Sequence, residues 1–148
     1  MIKKELKKVY MKLLFPFIIL LALAYLCQFF EIFQREESEF SRIFSVTLLV
    51  LAALFSLALP VFYRTLFVNK IKDRKTITIN EFLKFEKDLI VIAMIAPYFV
   101  FFTLLISIPE FYSGTVIIIA LYAIYYYYPS EKRIKFEKRL FRITEENK

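Results

Sequence analysis

The chain has 148 residues, 59% of them hydrophobic, with mean hydropathy +0.58 and a formal charge of +7. It holds one cysteine, one glycine and no histidine or tryptophan. That inventory excludes an imidazole-based triad, a thiol–imidazole pair, an intramolecular disulfide, a conventional zinc site and a glycine-rich phosphate loop.

The N-terminal stretch carries Lys3, Lys4, Lys7, Lys8 and Lys12 against Glu5. Ile2, Leu6, Val9 and Leu13 recur on one helical face, which predicts an amphipathic segment lying in the membrane interface with snorkelling lysines. The first span follows, Leu13 to Phe30, with Pro16 near its start. The lysine-rich opening and Ala22-Leu23-Ala24 imitate a signal peptide. The apolar run continues through Tyr25, Leu26, Phe29 and Phe30, so an uncleaved span is expected. Cys27 reads as a small buried hydrophobe.

After an acidic link (Glu31, Glu36, Glu37 and Glu39 against Arg35 and Arg42) comes Ile43 to Tyr63, twenty-one residues without a charge. Thirteen of them are large and apolar, favouring insertion as a helix by about −4 to −8 kcal/mol. Ser45, Leu49, Ala52, Ser56 and Pro60 form a row of small residues suited to close helix approach.

Residues 64–88 are basic and predict a helical hairpin. Within it, Thr78-Ile79-Asn80-Glu81 matches a capping box. The third span is Leu89 to Ile108; its Pro97 should kink the helix and strips the carbonyl of Ala93 of a donor, to be replaced by a neighbouring helix or water. Gly114 suits a tight turn. The fourth span covers 111–128 and ends in Tyr125-Tyr126-Tyr127-Tyr128, an interfacial aromatic belt. A basic amphipathic helix over about 130–143 follows, capped by Ser130.

Five, seven and seven of the 21 basic residues lie in the N-terminal, middle and C-terminal polar segments, leaving two in the intervening links beside five glutamates. By the positive-inside rule both termini and the hairpin face the cytoplasm. This segregation accounts for the pI of about 9.4 without nucleic acid.

The fold expected is one all-α integral membrane domain: four transmembrane helices over about 13–30, 43–63, 89–108 and 111–128, plus the C-terminal helix. No span carries an ionisable residue away from its ends, which argues against proton-coupled export through a buried carboxylate. Glu31 and Glu110 read as headgroup-level charges, and Tyr98, Thr103 and Ser107 as groups bonded to backbone carbonyls. Lys132, Arg133, Lys135, Lys138, Arg139 and Arg142 are the candidate contacts to anionic lipid or to a partner. No catalytic residue, metal or cofactor is expected. The functional expectation is a non-enzymatic accessory or assembly protein packing against other membrane proteins or itself. Alternatives are a small oligomeric transporter or lipid translocator, and a membrane enzyme acting on lipid. Abundant Lys, Ile, Phe and Tyr points to an AT-rich bacterial genome and an inner membrane.

Overall fold

Long apolar runs can satisfy their backbone N–H and C=O groups without water as helices, and helices dominate the computed structural model. It describes residues 2–30, 39–72, 77–106, 108–141 and 143. The elements are α1 (Ile2–Phe29), α2 (Glu39–Ala53), a π turn (Leu54–Ala58), α3 (Leu59–Ile71), α4 (Ile79–Ala93), α5 (Tyr98–Leu105), α6 (Glu110–Tyr126) and α7 (Glu131–Leu140). Among the described residues, β structure is confined to one parallel bridge between Ile77 and Ile143.

Three rods are long and apolar enough to cross a membrane: Ile2–Phe29, Arg42–Ile71 and Ile79–Leu105. The 17 residues of α6 reach about 26 Å, a little less than a hydrocarbon core of about 30 Å. They make a fourth candidate only together with α7, across a bend of 73°.

α1 runs unbroken from Ile2, so the N-terminal segment does not turn before the first span. Its apolar face meets protein instead of headgroups: Leu6 and Tyr10 are buried against Ile90, Met94 and Ile134. Continuity also moves Pro16 from near the start of a helix to its interior. Pro16 has no N–H for the Lys12 carbonyl, and at the neighbouring residue the Tyr98 hydroxyl donates to the Leu13 carbonyl at 2.7 Å.

A second proline is accommodated differently. Pro60 has no N–H for the carbonyl of Ser56, and the helix widens into the π turn just before it. The Tyr127 hydroxyl points at that carbonyl from 3.4 Å. Ser45, Ala52, Ser56 and Pro60 are all buried, as the small-residue row predicts. Ala52 packs with Phe17, Val100, Val116 and Ala120 at the centre of the bundle.

Pro97 interrupts the helix in mid-span as expected, but the replacement donor departs from expectation. The effect of the proline is to end α4 at Ala93, and the chain tightens to three-residue bonds before α5 begins at Tyr98. The Ala93 carbonyl accepts from the Ala96 N–H at 3.2 Å, so its own chain supplies the donor. Gly114 also departs: it lies inside α6, where a Cβ would meet nothing within 4 Å. The turn is made earlier, because Pro109 caps the helix and its carbonyl accepts from the Ser113 N–H at 3.2 Å.

At the far end, Thr78 caps α4 as expected, accepting from the Glu81 N–H at 3.3 Å. Phe67 stacks on Phe85 with centroids 4.0 Å apart, and Phe141 packs edge-on to Phe85 at 5.5 Å. Such offset and T-shaped pairs each add about 0.5–1.5 kcal/mol beyond area burial. This aromatic knot fastens the C-terminal end of α7 between α3 and α4.

Candidate functional site

α7 is where charge and apolar surface meet. Ser130 accepts from the Arg133 N–H at 3.2 Å, with Glu131 in the first turn and Lys138 and Arg139 in the last. Each charge opposes the helix dipole. Helical spacing then divides the segment. Arg133, Ile134, Glu137 and Phe141 turn to the bundle, while Lys132, Lys135, Phe136, Arg139 and Leu140 are exposed.

The inward face carries two ion pairs. Arg133 donates through Nη2 to Glu86 Oε2 at 2.9 Å, and Arg64 through Nη2 to Glu137 Oε2, also at 2.9 Å. The Glu86 and Glu137 side chains are only 2% and 6% exposed. Arg133 also lies over the Tyr127 ring at 5.4 Å, and Arg64 over Phe141 at 5.9 Å. Two further pairs are exposed, Lys3 to Glu131 at 2.6 Å and Lys87 to Glu5 at 2.7 Å. Together the four pairs bring the N-terminal segment, the hairpin and the C-terminal helix to one end of the molecule.

The buried pairs are under-satisfied. Glu86 Oε1 and Arg133 Nη1 are buried with no hydrogen-bond partner among the described residues. Burial pushes the Glu86 carboxyl up to about 6, Arg133 and Arg64 oppose that rise, and the nearby Glu137 reinforces it. Glu86 lies on α4, three residues before Leu89, where the third span expected from the sequence starts. The exposed Glu5 and Glu131 behave oppositely, held below the ordinary carboxylate range by Lys87 and Lys3.

Beside Arg64 and Arg133 a cleft of about 680 Å³ opens at the α6–α7 corner. Leu121, Ile124 and Phe136 supply apolar wall, and Tyr10, Tyr125 and Tyr128 line its rim. Tyr10 donates to the Ile124 carbonyl at 2.8 Å, occupying one of the C-terminal carbonyls that α6 leaves open. The tyrosine run is thus a belt with one exception. Tyr125 is 86% exposed whereas Tyr127 is 4% exposed and belongs to the core.

The six basic residues singled out from the sequence separate. Lys132, Lys135 and Arg139 stand on the outer face of α7. Lys138 is half-buried and, with Lys135, borders a second pocket of about 420 Å³. Arg133 belongs to the buried pairs, and Arg142 lies outside the described residues. Sequence reasoning missed Arg64, Glu86 and Glu137. A signal for Glu86 existed, because Phe82, Phe85, Glu86 and Leu89 share one helical stripe and a lone carboxylate on an apolar stripe needs a partner. Of the polar groups near Pro97, Tyr98 bonds Leu13, Thr103 bonds the Val100 carbonyl at 2.8 Å, and Ser107 is outside the described residues. Glu110 is an exposed residue in the first turn of α6, and Glu31 is outside the described residues.

Compared with protein-family models, with curated proteins and with solved structures, the chain matches none.

Proposed function

We propose that this is a non-enzymatic integral membrane protein with both termini and the hairpin on the cytoplasmic side, acting as an accessory or assembly component that packs against other membrane proteins. Large apolar side chains exposed along the rods, among them Phe15, Ile18, Tyr25, Val61, Phe62, Ile118 and Leu121, support lipid as the surrounding solvent. The ion pairs support placing both termini and the hairpin on one common side, and the charge count then says which side. Lys3–Glu131, Lys87–Glu5, Arg64–Glu137 and Arg133–Glu86 join the three segments that hold nineteen of the 21 basic residues. Composition favours a bacterial inner membrane. In intact cells, tags at Glu37 and beyond Arg142 are expected in opposite compartments; finding both in one would overturn the orientation.

The single observation that carries the accessory role is the outer face of α7. It presents Lys132, Lys135, Phe136, Arg139 and Leu140 on a helix clamped from behind by two buried pairs. A basic-apolar face on an immobilised helix loses little entropy on docking. Transport is the weaker reading, because Phe17, Ala52, Val100, Val116 and Ala120 fill the bundle centre. Lipid chemistry is weaker still, since the buried carboxylates of Glu86 and Glu137 are each committed to an arginine and not free for acid–base work. Purified in mild detergent from native membranes, the full chain is expected to carry a stoichiometric partner. The K132Q/K135Q/R139Q variant should release it. A bare protein in both preparations would refute the accessory role.

A further inference from the structure

We infer that the cleft at the α6–α7 corner binds one anionic glycerophospholipid, its phosphodiester against Arg133 and Arg64 and the start of an acyl chain against Leu121, Ile124 and Phe136. The proposal rests on the membrane reading above and deepens it, from a charged surface to a built site for a single lipid.

Four observations converge on that occupant. The cleft has about 680 Å³, room for a headgroup and the first part of a chain, and its walls are mainly apolar. Its charged residues are Arg64, Arg133 and Glu137, with Glu86 behind Arg133. The facing charge is therefore +1, the complement of a single phosphodiester. Arg64 and Arg133 each give Nη2 to a glutamate at 2.9 Å, and their side chains keep 30% and 14% of their surface exposed. A guanidinium has five N–H donors, so each arginine has others to offer, and a phosphate oxygen is the acceptor whose geometry suits them best. Finally, Tyr125, Tyr126 and Tyr128 line the cleft, and phenols of spanning helices collect at headgroup level.

The headgroup has to be anionic because the ammonium of a zwitterionic lipid would meet a site whose one carboxylate, Glu137, is already bonded to Arg64. The lipid so held would seat the α6–α7 corner at a defined depth.

Native mass spectrometry of the full chain from non-ionic detergent tests this, titrating phosphatidylglycerol against phosphatidylcholine of identical chains. One phosphatidylglycerol adduct is expected, retained about fivefold over phosphatidylcholine. Removing charge pair by pair avoids leaving a buried ion alone. The E86Q/R133Q variant, with E137Q/R64Q as a second, is expected to bind phosphatidylglycerol about tenfold more weakly while keeping its helical circular dichroism. The K132Q/K135Q/R139Q variant should keep the single adduct, which separates the cleft from the outer face. Equal loading of the two lipids, or an undiminished adduct in both paired variants, overturns the site. Loss of the adduct in the outer-face variant alone would also overturn it, and would leave the surface role of α7 standing.

Discussion

Replacing Arg133 by glutamine is expected to lower the unfolding free energy by about 3–5 kcal/mol, the largest effect of any single exchange at the α7 clamp. The cause lies in what stays behind. Glu86 is 2% exposed, its Oε1 lacks a partner among the described residues, and Arg133 donates to its Oε2. Without the guanidinium the carboxylate must be buried alone, or take a proton at neutral pH, or drag α7 off the bundle. The paired exchange E86Q/R133Q removes both ions and should recover most of the loss, because burying an ion pair roughly cancels its own attraction. Unfolding titrations in denaturing detergent read the difference. If the single and double variants unfold at the same point, the pair is not the fastening of α7.

Acidification is expected to stabilise the molecule, an unusual direction for a protein tied by carboxylates. The Glu86 carboxyl is raised from an ordinary value of 4.5 to about 6. Between those values the folded chain holds more proton than the unfolded one, so stability falls as pH rises from about 4.5 to 6 and stays lower above. Lowering the pH from 7.5 to 5 should therefore add on the order of 1 kcal/mol. Glu5 and Glu131, whose carboxyls are lowered, lose their stabilisation only below about 4.5, so the two windows do not overlap. Thermal midpoints in detergent across this range provide the check, with Glu86→Gln as control. A midpoint that falls on going to pH 5, or a rise that survives in Glu86→Gln, would remove Glu86 as the cause.

What was legible in the residues is what depends on neighbours in sequence. The apolar rods, the Thr78 and Ser130 caps and the buried Ser45–Pro60 row are set within a turn or two, and periodicity reports them. The misreadings concern partners far along the chain. The face of Ile2, Leu6 and Val9 looked as suited to lipid as to protein, and only α4 and α7 arriving against it decide between the two. Arg133 has the same composition around it as Lys132, yet one is bonded to Glu86, 47 positions away, while the other is exposed. Pro97 and Gly114 show a subtler failure. Both signals were read as demanding something, an outside donor or a turn, where local backbone adjustment supplied the need.

Phe141, Ile134 and the two guanidinium–carboxylate contacts lock the last helix over groups made much earlier. Glu86 is translated 47 residues before Arg133, and Arg64 is translated 73 before Glu137. At ribosomal speeds of about 5–20 residues per second, the Glu86 carboxylate waits roughly 2–10 s for its counter-ion. The last helix is thus a closing latch, and a chain stopped before Glu131 would leave Glu86 without Arg133 and Arg64 without Glu137.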